Sequence, residues 1–158
     1  MSSGGSGRAG DPADLAIVGG GPAGLATAIE ARLAGLSVAV LDRRRPPLDK
    51  ACGEGLMPDA VSRLAALGVE VAGRPFRGIR YLDGATAAEG TFPGPPGMGV
   101  RRTALHAALV RRAEEVGVAL RWGAHPRRNA GPVPAPGDAA PARRFSLSGG
   151  RRGGDAPA

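Results

Sequence analysis

The chain has 158 residues, enough for one domain, but its 27 glycines and 15 prolines make up about a quarter of it, a fraction typical of low-complexity sequence. Its net charge of +7 is concentrated after residue 124, where six arginines and two aspartates fall. Phe145 is the one aromatic residue among these arginines and no base-reading motif accompanies them, so we expect no nucleic-acid partner. The single cysteine, Cys52, excludes an internal disulfide and every metal site built on several cysteines.

The two ends of the chain differ from its middle. Residues 1–13 are rich in Gly and Ser, and we predict a disordered leader with no signal peptide. Residues 125–158 are mostly Gly, Pro, Ala and Arg without periodicity, and we predict a low-complexity, disordered tail that is not part of the folded domain. Residues 14–124 hold most of the large apolar side chains and are predicted to fold. We expect a cytoplasmic protein with no membrane span, because glycines interrupt the longest uncharged stretch, residues 15–29.

The first part of the predicted domain reads as a βαβ unit. Residues 15–18 form a short apolar run that stops at a glycine cluster, as a buried parallel strand does. Leu25, Ile29 and Leu33 then recur every four residues, which predicts a helix, and residues 37–41 give a second buried strand ending at Asp42. Two such strands joined by a helix predict a parallel pair with a right-handed crossover.

The rest of the domain continues the α/β pattern around one predicted hairpin. In chain order we predict a loop over 43–56, a helix over 58–67, hairpin strands over 76–82 and 87–92 joined at Asp83-Gly84, a turn-rich stretch over 93–99, a helix over 103–116 and a strand over 118–122. The predicted fold class is therefore α/β, a Rossmann-like domain with an incomplete parallel sheet and a small β-hairpin insertion.

A glycine motif stands between the first strand and the first helix. It fits G-x-G-x-x-G and reads Gly19-Gly20-Gly21-Pro22-Ala23-Gly24. Its first glycine permits a tight turn, its second lets a pyrophosphate approach the backbone, and its third lets the helix pack closely on the strand. Asp42, 18 residues past Gly24, is placed to accept hydrogen bonds from ribose hydroxyls. The motif predicts an adenine dinucleotide and leaves FAD and NAD open.

Further segments carry a resemblance to a known family. DLAIVGGGPAGLATAIEARLAGLSVAVLD, DRRRPPLDKACGEGLMPDAVSRLAALGV and GVRRTALHAALVRRAEEVGVALRWGA together resemble the N-terminal part of FAD-dependent oxidoreductases of the para-hydroxybenzoate hydroxylase and geranylgeranyl reductase type, a group that includes aromatic monooxygenases and halogenases. The resemblance covers about residues 14–124 and implies FAD as the cofactor, with NAD(P)H as an electron donor and a small molecule as the substrate.

The resemblance also implies which residues contact FAD. Arg102 matches the arginine of an R-x-x-L motif, and Cys52-Gly53-Glu54-Gly55 matches a C-G-x-G stretch that approaches the flavin in the reductase branch. Arg43 or Arg44 is implied to lie near the ADP half that the glycines and Asp42 hold. No catalytic acid or base is assigned, and His106 is expected on the surface of its helix.

Two alternatives to an FAD-dependent oxidoreductase remain open at this point. A nicotinamide-dependent Rossmann dehydrogenase would use the same glycines and Asp42 but has no use for the CGEG stretch or Arg102. In the resembled family a second flavin motif and most of the substrate pocket lie further along, so the chain is alternatively a truncated, catalytically silent fragment. We accordingly expect the 158-residue chain to hold FAD weakly and to turn over no substrate.

Overall fold

The computed structural model describes residues 12–124 and residue 133. Residues 1–11 of the predicted leader, and all of the predicted tail except residue 133, lie outside the described residues. The elements in chain order are β1 (Leu15–Val18), α1 (Pro22–Leu33), β2 (Val38–Asp42), β3 (Gly55–Leu56), α2 (Pro58–Ala66), β4 (Arg74–Phe76), β5 (Gly78–Asp83), β6 (Thr86–Thr91), β7 (Gly97–Gly99), α3 (Arg102–Glu115) and β8 (Ala119–Trp122).

A three-stranded parallel sheet forms the base of the domain. Its strand order is β1-β2-β8, with Val18 opposite Leu41 and Asp42 opposite Trp122. All five residues of the central strand β2 are buried. The predicted βαβ unit is confirmed, because α1 joins the parallel strands β1 and β2. The later helix and strand are confirmed as α3 and β8.

Helices α1 and α3 pack against each other and bury the core. Leu25 and Ile29 of α1 and Leu109 of α3 are fully buried, together with Val38 and Val40 of β2. The four-residue apolar spacing of α1 and the Leu105–Leu109 pair of α3 produce this arrangement, because residues four apart share one helix face. α3 is therefore held firmly, and its N-terminus is fixed relative to the sheet.

A small antiparallel sheet of order β3-β7-β4 corrects two predictions. Phe76 belongs to β4 and pairs with Gly97 instead of opening the hairpin, and residues 97–99 form the central strand β7 where only turns were predicted. β7 has the sequence GMG, which carries no strand pattern. Gly97 is needed because a Cβ there would meet the Leu56 carbonyl oxygen at 2.7 Å, so that packing overrides the low strand propensity of glycine.

The predicted hairpin is confirmed as β5 and β6, but its turn is shifted by one residue. Asp83 pairs with Thr86, so the two-residue turn is Gly84-Ala85 instead of Asp83-Gly84, and Gly84 takes a φ of +55°. Both strands are exposed along nearly their whole length. Within residues 12–124 no helix is long and apolar enough to cross a bilayer.

Candidate functional site

The candidate site lies at the edge of the parallel sheet where its strands end. The glycine motif follows β1, Asp42 ends β2 and Trp122 ends β8. Parallel strands that are neighbours place their carboxyl ends at one edge, so these groups meet although they are far apart in sequence. The N-terminus of α3 reaches the same edge through contacts of Arg102 and His106 with the glycine motif.

Two glycines of the motif are required by the backbone conformation and the packing of the fold itself. Gly19 has a φ of +113°, which side-chain-bearing residues rarely adopt, and its N–H donates to the carbonyl oxygen of Leu41 at 2.8 Å. A Cβ on Gly24 would overlap the Gly19 carbonyl oxygen and touch Ile17 at 3.4 Å. These glycines make the turn and let α1 lie close on β1, as the sequence motif implies.

Gly20 is buried and held by three side chains. Its N–H donates to Oδ2 of Asp42 at 2.9 Å, and its carbonyl oxygen lies 2.8 Å from Nε2 of His106. The Trp122 ring covers its remaining side, since a Cβ on Gly20 would lie 2.6 Å from Cη2 of that ring. The middle of the loop is thus fixed by residues from β2, α3 and β8.

Gly21 differs from its neighbours because nothing within residues 12–124 requires a glycine there. Its φ of −77° and ψ of 177° suit any residue. An added Cβ would meet only Nη2 of Arg102, at 4.0 Å. Gly21 is the N-cap of α1 and has no side-chain cap, so space is left open in front of the first amide groups of that helix.

Arg102 brings a positive charge to this open space. It is the first residue of α3, and its Nε is buried without a hydrogen-bond partner in the part of the chain that the structure describes. A buried guanidinium N–H left unpaired is costly, and a cation at a helix N-terminus is disfavoured by the helix dipole. An anion bound between Arg102 and Gly21 would relieve both costs.

The CGEG stretch reaches Arg102 through Glu54. The Glu54 carboxylate accepts a hydrogen bond from the backbone N–H of Arg102 at 3.0 Å, and its carbonyl oxygen accepts one from Val100 at 2.7 Å. Glu54 has a φ of +52°, an uncommon value for a residue with a side chain. Beside it opens a cleft of about 800 Å³ lined in part by Gly53, Arg74 and Thr103.

Asp42 is a buried carboxylate whose two oxygens each accept a backbone hydrogen bond. Oδ2 accepts from Gly20, and Oδ1 accepts from the N–H of Arg44 at 2.9 Å, with Nε of Arg44 3.8 Å away. Burial acts to raise the pKa of Asp42, but these hydrogen bonds and the charges of Arg44 and Arg43 outweigh it. The pKa of Asp42 therefore lies below its ordinary value, and the group is ionised at neutral pH.

The structure brings most of the sequence-predicted residues together and leaves two apart. The glycine motif, Asp42, Arg44, Glu54 and Arg102 are linked by the contacts above, whereas Cys52 is an exposed free thiol and Arg43 is exposed. Gly55 opens β3, and Pro22 and Ala23 form the first turn of α1.

Two residues of the site were missed by sequence reasoning, and one of them was placed wrongly. His106 is 1 % exposed, so the expectation of a surface histidine is wrong. The sequence feature that could have located His106 in the site is its position four residues after Arg102, which puts both residues on one helix face. For Trp122 the signal was its position at the end of a parallel strand.

Comparisons with known proteins place this geometry among flavoproteins. The sequence profile of a family described as FAD binding domain matches residues 12–127. A menaquinone reductase of Mycobacterium tuberculosis is 39% identical over 124 residues, which covers 72% of this chain and 30% of that protein. The chain thus spans about 30% of the length of the curated relative that it matches.

Solved structures show the same fold. A myxobacterial FAD-dependent halogenase, the chondrochloren halogenase CndH, matches with a TM-score of 0.63 and 26% identity over 70% of this chain and 28% of its own. A geranylgeranyl bacteriochlorophyll reductase-like protein from Thermoplasma acidophilum matches with a TM-score of 0.56 and 21% identity over 70% of this chain and 30% of its own.

Proposed function

Because the chain belongs to the FAD binding domain family, we propose that its sheet edge holds the ADP half of FAD for a flavin-dependent oxidoreductase of the reductase branch. The glycine motif and the N-terminus of α1 would hold the pyrophosphate, Arg102 would pair with it, and Asp42 would hold the ribose. The CGEG stretch would lie toward the flavin ring.

The observation that carries this proposal is the open space at Gly21 beside Arg102. The backbone at Gly21 accepts any residue, and the described part of the chain leaves its side-chain position empty and gives the buried Nε–H of Arg102 no hydrogen-bond partner. A pyrophosphate supplies the two things that are missing, namely negative charge and hydrogen-bond acceptors at a helix N-terminus.

The ribose assignment is compatible with the bonds that Asp42 already makes. A carboxylate offers about four acceptor positions, and the backbone N–H groups of Gly20 and Arg44 use two of them. Two positions are left for the two ribose hydroxyls. The lowered pKa keeps the group ionised and therefore a strong acceptor at neutral pH.

The relatives support a reductase as the whole protein's activity. The flavin, when bound, supplies the redox chemistry, and this chain contributes its binding and orientation. The relative that is 39% identical is a menaquinone reductase, and the chain carries the CGEG stretch of the reductase branch. We therefore propose that the whole protein reduces a double bond in a small-molecule substrate, with a nicotinamide nucleotide as the electron donor.

Cofactor binding is tested by titrating the 158-residue chain with ADP, FAD and adenosine while following backbone amide shifts by NMR. ADP and FAD are expected to shift the amides of residues 19–24 with similar affinity, and adenosine to bind at least about tenfold more weakly because it lacks the pyrophosphate. Equal binding of adenosine and ADP, or no binding of either by a folded chain, would contradict the proposal.

The reductase assignment is tested with a chimera. Residues 12–124 of this chain replace the matching segment of the M. tuberculosis menaquinone reductase, and flavin content and menaquinone reduction are measured. The expected result is a yellow protein that reduces menaquinone, with a Gly21→Val chimera as the flavin-free control. A chimera that holds FAD but leaves menaquinone unreduced would contradict the reductase assignment alone.

A further inference from the structure

His106 makes a buried hydrogen bond that the proposed cofactor contacts do not explain. Its Nε2 lies 2.8 Å from the carbonyl oxygen of Gly20, and the residue is 1 % exposed. A carbonyl oxygen only accepts hydrogen bonds, so Nε2 of His106 must carry the hydrogen. The histidine therefore acts on the glycine loop as a donor.

The bond fixes a peptide group that is otherwise free to turn over. The Gly20 carbonyl belongs to the same planar trans peptide as the N–H of Gly21, and the two point in opposite directions. Glycines flank this peptide on both sides, so few steric barriers oppose its rotation. By holding the carbonyl, His106 determines where the N–H of Gly21 points.

The direction of this N–H matters because its neighbours offer no equivalent. The N–H of Gly20 is already bonded to Asp42, and Pro22 has no N–H at all. Across residues 20–22, Gly21 therefore supplies the one amide donor left for a ligand. Its side-chain position faces the open space beside Arg102.

We infer that His106 is a positioning residue, which holds the Gly20–Gly21 peptide so that the N–H of Gly21 faces the pyrophosphate. The inference rests on the proposed function for its ligand. Arg102 lies one turn before His106 on α3, so a single helix presents the cation and orients the amide that bind the same group. Movement of α3 would change both contacts together.

The test compares three variants of the 158-residue chain. His106→Phe keeps a ring but removes the donor, His106→Gln restores a donor near the position of Nε2, and Leu109→Ala damages the same helix's core without touching the loop. ADP affinity and the chemical shift of the Gly21 amide are measured for each by NMR, with the global stability of each variant measured alongside.

The expected result is that His106→Phe weakens ADP binding at least about tenfold and shifts the Gly21 amide resonance of the free protein, while His106→Gln recovers affinity to within about threefold. Leu109→Ala should lower stability and leave ADP affinity unchanged. If His106→Phe binds ADP like the wild type, or if His106→Gln fails to recover while remaining folded, the positioning role is overturned.

Failure of the cofactor proposal gives a different result. In that case the wild-type chain itself shows no ADP binding, and the Gly21 amide resonance of the free protein still decides whether His106 holds the peptide. A Gly21 amide resonance that moves no more in His106→Phe than in Leu109→Ala would show that His106 only fills the core.

Discussion

The indole ring of Trp122 lies directly against Gly20, so closely that a Cβ on Gly20 would lie 2.6 Å from Cη2 of the ring. A Cβ added to the next residue, Gly21, would meet no described atom closer than Nη2 of Arg102, at 4.0 Å. The two adjacent positions of the motif are therefore glycine for different physical reasons. Gly20 is required by the fold, and Gly21 leaves room for something outside it.

Gly20→Ala should destabilise the fold. The added methyl group would overlap the Trp122 ring, and overpacking of this kind costs about 1–3 kcal/mol. Urea unfolding measures the change in the free energy of unfolding. Trp122→Leu in the same background makes space and should recover part of the loss; a Gly20→Ala variant as stable as the wild type would show that the ring moves aside freely.

Gly21→Val should leave folding nearly unchanged and remove ligand binding. The backbone at Gly21 suits a β-branched residue, but its side chain would fill the space proposed for the pyrophosphate. We expect ADP affinity to fall by more than about tenfold, or 1.4 kcal/mol, in an NMR titration. Wild-type affinity in this variant would remove the pyrophosphate from this position.

The parallel unit was predictable because its signals are local. The apolar run at residues 15–18, the four-residue spacing of Leu25 and Ile29, and the glycine motif each specify structure within a few positions. The contacts of Gly20 were not predictable, since they depend on which strands become neighbours. His106 and Trp122 reach the loop only because β8 pairs with β2 and α3 packs on α1.

The small antiparallel sheet could not be predicted from the sequence. Its central strand, Gly97–Gly99, has no alternation of apolar and polar side chains, and it forms because Phe76 and Leu56 lie close on both sides. Sequence patterns report the burial of side chains, and a glycine strand has almost none to report. The hairpin was predicted from the Asp83-Gly84 pair, which marks a turn. The strands beside it are exposed, so no pattern of buried side chains fixed which residues pair, and the turn was placed one residue too early.

Asp42→Ala should weaken ADP binding and destabilise the protein. Loss of the proposed ribose contact leaves polar groups unpaired, which costs about 1–3 kcal/mol of binding. The buried carboxylate also accepts the N–H groups of Gly20 and Arg44, so its loss should lower the stability of the fold. Calorimetric titration with ADP and urea unfolding measure the two effects. Unchanged affinity with lowered stability would assign Asp42 to the fold alone.

The free energy of unfolding at acid pH should depend on the carboxylate of Asp42. The pKa of Asp42 in the folded protein lies below the ordinary aspartate value of 3.8, so its contribution to stability is complete above that pH and is lost as pH falls further toward the folded pKa. Asp42→Asn should therefore flatten the dependence of the free energy of unfolding on pH below about 4. The pKa of the exposed Asp14 is also lowered, by its hydrogen bonds to Ser37, so Asp14→Asn should change the acid dependence in the same direction and measures the part that does not come from Asp42. An identical acid dependence in wild type and Asp42→Asn would contradict the assignment.

Arg102→Met should separate charge from structure at the proposed pyrophosphate. The substitution keeps most of the apolar stem, removes the buried unpaired Nε and removes a cation from the N-terminus of α3, while the backbone N–H that donates to Glu54 remains. In the ligand-free chain we expect unchanged or slightly raised stability, because an unfavourable charge at the helix N-terminus is lost. ADP affinity should fall by at least about tenfold, since the charge-assisted hydrogen bonds from Arg102 to the phosphates are lost.

Arg111→Met, at an exposed position further along the same helix, is the matched control and should change neither stability nor ADP affinity. The measurement is an ADP titration at two salt concentrations: an anion held by Arg102 makes wild-type affinity salt-dependent and that of Arg102→Met much less so. Equal salt dependence in the two proteins would show that Arg102 does not pair with the pyrophosphate.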